Sequence, residues 1–328
     1  MCKLTPREKF IKALKREPIT GHVPHFELVM FLTMESIGRI HPLHRDYSQW
    51  DQMSLAEQEL HLKDMALAYV ETAEKYDHSA IFVHPNPGVN GDLPGNIEST
   101  RRILEKIREL SGEKYFLAVH GDPTMAIPSG DNMMEVAAMM YEEPEKIHDY
   151  TKRRMEDAQN MTEELSKYPG LLDGFILCSD YCFNTNPFYS REMFAEFVTP
   201  YLKEILDYYR SKGYYSIKHT DGNVMPILDM IVDCGPDGVH SLDPQGGVDL
   251  KEAKRLYGDR VCLIGNVNCG KMQTGTEEEL IEDTRRALRE GMPGYGYIFS
   301  TSNCAYTGLA LERYELMQRV WKEEGIYK

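Results

Sequence analysis

The chain has 328 residues, and its 37 lysines and arginines against 52 aspartates and glutamates give a net charge of −15. This charge, with no run of basic residues, excludes nucleic acid and anionic membrane surfaces as expected partners, because both are bound through clustered cations. Apolar residues make up 42% of the chain and charged residues 27%, a balance typical of a soluble protein with a large core.

The sequence contains no segment that predicts membrane insertion or export. No apolar stretch approaches the roughly 20 residues that a membrane span needs. The opening segment, MCKLTPREKF, is charged and lacks an apolar core, so no secretory signal is predicted and we expect a cytoplasmic protein. The seven cysteines show no repeated C-x-x-C spacing, which predicts free thiols. No linker-like stretch divides the chain, which favours a single domain over residues 1–328.

In chain order, a short helix over residues 6–16 precedes eight runs rich in β-branched and aromatic residues. The runs begin at Val23, Ser79, Tyr115, Gly174, Tyr215, Asp237, Val261 and Tyr297. Amphipathic segments lie between them, at residues 55–76, 97–110, 144–167, 191–212, 225–234, 250–257 and 277–289, with 311–324 after the last run. Apolar strands that alternate with helices predict a parallel sheet covered by helices.

The number of these units predicts the fold class, α/β, and its architecture. Eight strands, each followed by a helix, are typical of a (β/α)8 TIM barrel, here with a short N-terminal helix. A doubly wound open sheet is the alternative. It is disfavoured because no G-x-G-x-x-G follows the first run and no phosphate-binding G-x-x-x-x-G-K-[ST] occurs. The same absence predicts no nucleotide cofactor.

Polar residues recur at the C-terminal ends of the predicted strands, where barrel enzymes build their active sites. They are His25 and Glu27; His84; His120 and Asp122; Ser179 and Asp180; His219 and Asp221; His240 and Asp243; Asn266 and Asn268; Ser302, Asn303 and Cys304. For any single one of them, a role in capping the next helix is more common than catalysis. Together, the imidazoles and carboxylates favour acid-base or metal chemistry in one shared mouth.

The pair His219 and Asp221 is the first candidate site. Residues two apart on a strand point to the same face. Cys304 ends the last predicted strand and would lie across the mouth, with Glu27 able to complete the group. One imidazole, one thiolate and one carboxylate with an open position would suit catalytic Zn²⁺. The alternative is that His219 and Asp221 bond each other or a substrate, and that Cys304 is a buried thiol.

Asp180 is the second candidate. It ends an apolar strand and precedes a loop, so desolvation could raise its pKa and make it a general acid, or it could stay ionised and orient a donor. The alternative is an Asx-turn in the loop.

Five segments carry a resemblance to a known family. They are TPREKFIKALKREPITGHVP, SDYCFNTNPFYSREMFAEFVTPYLKEI, HTDGN, DGVHSLDPQGGVDLKEAKRLYGDRVCLIGNVN and LALERYELM. Together they resemble the uroporphyrinogen decarboxylase superfamily over nearly the whole chain. The resemblance implies a (β/α)8 barrel and, as an expectation for the family, a homodimer.

The superfamily contains cofactor-free tetrapyrrole decarboxylases and zinc-dependent methyltransferases that work with thiols or corrinoid proteins. The decarboxylases carry an arginine-rich segment at the first strand that grips substrate carboxylates. Here that segment reads VPHFELVMF, with Glu27 and no arginine before Arg39, and His84 stands where an aspartate is expected. An acidic mouth would also repel a polycarboxylate. The resemblance is therefore nearer to the methyltransferase branch.

Methyltransferases of this superfamily bind zinc through a His-x-Cys at the strand of His219 and a further cysteine near Cys304. The resemblance thus implies a metal held by His219, Asp221 and Cys304, with aspartate in place of one thiolate. The leading prediction is methyl transfer from a small O-methyl or similar substrate to or from a corrinoid protein or thiol. The residues predicted to carry it are Asp180, His240 and Asp221 in catalysis and Glu27, His84, His120 and Asn266 in substrate binding.

Two alternatives stay open. One is cofactor-free decarboxylation of a small aromatic or pyrrole acid, with Asp180 or Asp221 stabilising a protonated ring. The other is a non-catalytic protein that binds a tetrapyrrole or corrinoid in the barrel mouth.

Overall fold

The computed structural model describes residues 4–84, 89–90, 93–94 and 96–328. The strands are β1 (Gly21–His22), β2 (Ala80–Val83), β3 (Val89–Asn90), β4 (Leu93–Pro94), β5 (Phe116–His120), β6 (Gly174–Leu177), β7 (Tyr215–Thr220), β8 (Gly238–Ser241), β9 (Cys262–Val267), β10 (Tyr297–Thr301) and β11 (Ile326–Tyr327). The α-helices are α1 (Pro6–Leu14), α2 (Thr33–Ile37), α3 (Leu55–Lys75), α4 (Ile97–Ser111), α5 (Met133–Glu142), α6 (Pro144–Ser166), α7 (Arg191–Phe197), α8 (Thr199–Ser211), α9 (Leu228–Cys234), α10 (Leu250–Tyr257), α11 (Cys269–Thr274), α12 (Glu277–Gly291) and α13 (Leu311–Glu324).

One curled parallel sheet organises the molecule. Its strands follow the order β10-β9-β8-β7-β6-β5-β2, so each strand lies beside its neighbour in the chain, apart from the short β3 and β4. This order does not reverse, and the doubly wound alternative is therefore wrong. Seven of the eight predicted strands are present in this sheet. The second predicted strand extends to residue 87 in the sequence analysis, and its residues 85–87 lie outside the described residues.

The first predicted strand, which begins at Val23, is not regular. His25 forms single parallel bridges to His78 on one side and to Phe299 on the other, at the two edges of the sheet. The Ser79 amide donates to the His25 carbonyl at 2.7 Å. Pro24 has no amide hydrogen to contribute to a ladder, which limits the pairing of this segment. The eight-stranded barrel predicted from the sequence is thus a curled sheet of seven strands, with an irregular segment that bridges both edges.

Most predicted helices are present, and their starts follow local sequence signals. Capping boxes begin α3, where Ser54 pairs with Glu57, and α12, where Thr276 pairs with Glu279. The helix predicted over residues 191–212 is divided into α7 and α8, because Pro200 in the first turn of α8 has no amide hydrogen with which to continue a helix. Helices α2, α5 and α11 were not predicted.

The interior of the curled sheet is apolar at its N-terminal end. Phe10 and Leu14 of α1 pack there against Phe26, Phe116 and other inward-facing side chains. The polar ends of the strands lie at the opposite, C-terminal end, as expected for this architecture. In the described ranges, the helices are too short or too polar to cross a membrane.

Candidate active site

His219 and Asp221 are placed by the last residues of β7 and the turn that follows it. His219 is buried on the strand and pairs in register with His240 of β8. The turn requires Gly222, whose φ of 79° is left-handed and whose position would bring a side-chain Cβ into the backbone oxygen of Phe183. The strand end therefore turns sharply, and Asp221 stays at the mouth of the sheet.

Asp180 meets these two residues from the loop after β6. The Asp221 amide donates to Asp180 Oδ1 at 2.9 Å. His219 Nε2 lies 3.7 Å from Asp221 Oδ1 and 4.0 Å from Asp180 Oδ1. One ligand atom from each of the three residues lies within 4.8 Å of the others, which makes them a candidate metal group among the described residues.

The Asp221 carboxylate has one oxygen fixed and the other available. Asn303 Nδ2 donates a short hydrogen bond to Asp221 Oδ2. Oδ1 is buried and, among the described residues, has no hydrogen-bond partner. Burial raises the pKa of Asp221, His219 lowers it and Asp180 raises it. A buried carboxylate oxygen without a donor is costly, and a cation between the three residues would compensate it.

The loop that carries Asp180 is fixed by its neighbours on both sides. The Ser179 amide donates to Asp122 Oδ2 at 2.8 Å, and the Tyr181 amide donates to Thr220 Oγ1 at 3.0 Å. Lys218 Nζ, fully buried, donates to Asp122 Oδ2 at 2.7 Å and to the Ser179 carbonyl at 2.8 Å. Burial raises the pKa of Asp122, but Lys218 and the hydrogen bonds outweigh it and lower the pKa below its usual value.

Lys218 and Asn303 were assigned no role from the sequence. A lysine inside an apolar strand is itself a signal, since a buried ammonium needs a buried anion. Asp122 was interpreted as a possible helix cap, and it does accept from the Thr124 amide at 2.9 Å. Its partnership with Lys218, 96 residues away, has no local sequence signature.

The predicted catalytic residue His240 lies behind His219. A hydrogen bond connects the two rings, with His219 Nδ1 and His240 Nδ1 2.8 Å apart. His240 is fully buried, and this burial lowers its pKa well below the usual value, so the ring is neutral. A neutral ring without exposure to the mouth is not placed to protonate a leaving group directly.

The four predicted substrate-binding residues fall into two groups. His84 and His120 lie together at the ends of β2 and β5, with His84 Nδ1 3.0 Å from His120 Nε2. Burial lowers the pKa of His120 to about 4 and the pKa of His84 well below its usual value. Their role in substrate binding stays a prediction.

Glu27 and Asn266 are buried and hydrogen-bonded to neighbouring segments. The side chain of Glu27 is fully buried; it accepts from Thr301 Oγ1 at 2.6 Å and lies 3.2 Å from His25 Nε2. Asn266 Nδ2 donates to the Leu242 carbonyl at 2.7 Å. Both side chains are thus engaged in these contacts, and their role in substrate binding stays a prediction.

Cys304 is outside the group formed by Asp180, His219 and Asp221. Burial, with smaller contributions from the nearby Cys269, Glu27 and Asp221, raises the pKa of its thiol to about 12. The thiol is thus protonated at neutral pH. The structure brings Asp180 to the position beside His219 and Asp221 that the sequence interpretation gave to Cys304, and metal binding by Cys304 stays a prediction.

Comparisons with known proteins agree with this architecture. The family model of uroporphyrinogen decarboxylase (URO-D) matches residues 83–323. Uroporphyrinogen decarboxylase of Chlorobium luteolum is 33% identical over 105 residues, a stretch that covers 31% of this chain and only 28% of that relative. A solved methyltransferase from Methanosarcina mazei superposes with a TM-score of 0.70 at 18% identity, over 98% of this chain and 99% of that one.

Proposed function

Because this chain belongs to the uroporphyrinogen decarboxylase family, we propose that it is a metal-assisted methyltransferase that moves a methyl group from a small O-methyl or similar substrate to or from a corrinoid protein or thiol. The observation that carries the proposal is the meeting of Asp180, His219 and Asp221 at the strand ends, with ligand atoms within 4.8 Å of one another. A group of this kind suits Lewis-acid chemistry at the mouth.

The donor set fits a divalent cation. Two carboxylates and one imidazole are harder ligands than the thiolates of the related methyltransferases, and they suit Zn²⁺ as well as Mn²⁺ or Fe²⁺. Asp221 Oδ1, buried and without a donor among the described residues, supports the fit. When bound, such a cation would polarise the substrate oxygen from which the methyl group leaves.

The chain's own residues would orient the substrate and manage the proton. Asn303 fixes the Asp221 carboxylate so that Oδ1 faces His219 Nε2. Asp180 is the most exposed of the three at 45%, so it faces the opening from which a substrate arrives. In the transfer, the methyl–oxygen bond would break and a reduced corrinoid, as co-substrate, would supply the electron pair for the new bond to the methyl group. The leaving oxygen, oriented by Asp180, would take one proton from solvent at the opening that Asp180 faces.

The segment at the first predicted strand argues against binding of a polycarboxylate. It contains no arginine, and the first one after it, Arg39, is already engaged with Glu71 at 2.8 Å and with Asp64. A substrate with several carboxylates would meet the carboxylates of Asp180 and Asp221 at the mouth, which would repel it.

The proposal is tested by metal binding and methyl transfer on the full chain. We expect the purified protein to bind Zn²⁺ with one site and to convert reduced cobalamin to methylcobalamin with an O-methyl substrate. Asp221→Asn should weaken Zn²⁺ binding by 10-fold or more, while Asp243→Asn, a carboxylate at the next strand end, should not.

Other results would contradict the proposal. Carbon dioxide release from a pyrrole acid without added metal would favour decarboxylation, and tight cobalamin binding without turnover, unchanged in His219→Ala, would favour a non-catalytic protein.

A further inference from the structure

The pair formed by His219 and His240 requires a defined arrangement of protons. Their Nδ1 atoms are 2.8 Å apart, so one ring must donate and the other must accept. Which nitrogen of a histidine carries the proton is set by the hydrogen bonds that the ring makes. The surroundings of His240 therefore decide the tautomer of His219.

The second nitrogen of His240 faces a hydroxyl group. Its Nε2 lies 3.3 Å from Ser300 Oγ, within hydrogen-bond distance. Ser300 Oγ in turn donates to Glu27 Oε2 at 3.4 Å, so the hydroxyl's own hydrogen is directed away from His240. His240 Nε2 is therefore the protonated nitrogen.

The protonation state of His240 Nδ1 follows because the ring as a whole is uncharged. His240 is fully buried between His219 and Ser300, and its ring is uncharged because a charged ring there would lose its hydration. With its single proton on Nε2, its Nδ1 has only a lone pair. The proton between the two rings must then belong to His219 Nδ1.

We propose that His240 is a positioning residue that holds His219 with its proton on Nδ1, so that Nε2 presents a lone pair to Asp180 and Asp221. His219 Nε2 is the atom that lies 3.7 and 4.0 Å from these carboxylates. The consequence for cation binding rests on the proposed function, whereas the tautomer itself does not. Partners that orient a metal-binding histidine change metal affinity by 10 to 100-fold when they are removed.

The test is a comparison of two substitutions at His240. His240→Asn keeps an oxygen near the Nδ1 position that can accept from His219, while His240→Leu keeps the volume and removes the acceptor. In the metal-free full chain labelled with ¹⁵N-histidine, ring ¹⁵N shifts report the protonated nitrogen, and the signals of His219 are assigned by their loss in His219→Asn.

We expect wild-type His219 to be protonated on Nδ1 and His240→Asn to preserve this state. His240→Leu should shift His219 toward protonation on Nε2 and weaken Zn²⁺ binding by 10 to 100-fold, while the Asn variant stays within about threefold of wild type. Circular dichroism checks that each variant is folded; if His240→Leu does not fold, the wild-type spectrum and the Asn variant still decide.

The proposal is overturned if wild-type His219 carries its proton on Nε2, or if His240→Leu changes neither the tautomer nor the Kd. A wild-type protein with the Nδ1 tautomer that binds no divalent cation would support the positioning role and refute the cation in the proposed function. The two ideas can thus fail separately.

Discussion

At the scale of single residues, Glu27 is a carboxyl group whose pKa is raised in the fold above its value in solution. Its side chain is fully buried, and burial raises its pKa to about 7, although bonds from Thr301 and Ser300 lower it. Between the unfolded pKa of 4.5 and the folded pKa, the folded chain holds a proton that the unfolded chain has released. Glu27 therefore stabilises the fold at low pH, and this contribution is lost as the pH rises through 7.

We expect the stability of Glu27→Gln to increase relative to that of the wild type as the pH rises. Between pH 5 and pH 8 the difference in unfolding free energy should move toward the variant by at most roughly 3 kcal/mol, the equivalent of the pKa shift. Urea unfolding of both proteins at each pH measures it, with the exposed Glu17→Gln as the control. The same difference at both pH values would contradict the expected ionisation of Glu27.

Asn303 gives a second prediction at this scale, because it is the donor that orients Asp221. Asn303→Ala should weaken Zn²⁺ binding by about 10-fold, as loss of an orienting partner does. Asn223→Ala is the matched control, since Asn223 donates to the Thr185 carbonyl and does not contact the Asp221 carboxylate. Calorimetric titration measures both. Equal affinities in the two variants would show that Asn303 does not position the ligand.

At the scale of secondary-structure elements, Lys218 connects β7 to the ends of β5 and β6. Its ammonium contacts the Asp122 carboxylate, the Ser179 carbonyl and the Tyr181 ring, whose centroid lies 4.0 Å away. The strand ends that carry His120, Asp180 and His219 are held relative to one another through this buried pair. The pair of Lys218 and Asp122 thus fixes the relative positions of the strand ends at the mouth.

We expect Lys218→Met to destabilise the protein by about 3–5 kcal/mol, because Asp122 is left buried without its cation. The double variant Lys218→Met/Asp122→Asn should recover part of the loss. Lys203→Met, which breaks only an exposed pair with Asp207, should change stability by less than about 1 kcal/mol. Thermal or urea unfolding compares the four proteins, and no recovery in the double variant would show that the pair is not the cause.

The accuracy of prediction from the sequence differs between the elements of the structure. Seven strands were located because their β-branched and aromatic runs end in polar residues, and the i, i+2 spacing placed His219 and Asp221 on one face correctly. The orientation of Glu27 was not predicted, because that rule holds for regular strands and Pro24 prevents one. The choice of Asp180 over Cys304 depends on the path of the loop after β6, which is fixed by contacts distant in sequence.

At the scale of the whole molecule, the segment that begins at Val23 joins the edges of the sheet through isolated bridges and not through regular ladders. These bridges run from His25 to His78 and Phe299 and from Met30 to Ala305. The backbone bonds of this segment, such as the Ser79 amide to the His25 carbonyl and the Phe26 amide to the Phe299 carbonyl, are not part of a continuous ladder. The segment should therefore open more readily than the central strands. In hydrogen–deuterium exchange, peptides from residues 21–30 should exchange faster than peptides covering β9. Equal protection of both regions would show that residues 21–30 are as stable as the central strands of the sheet.

Helix α1 fills the N-terminal end of the curled sheet with Phe10 and Leu14. Because α1 closes this end of the sheet, both reactants of the proposed chemistry would approach His219 from the C-terminal ends of the strands. A corrinoid protein bound at that end would then block release of the demethylated alcohol. On the proposed function we therefore expect the corrinoid protein to dissociate in each catalytic cycle before the next small substrate binds.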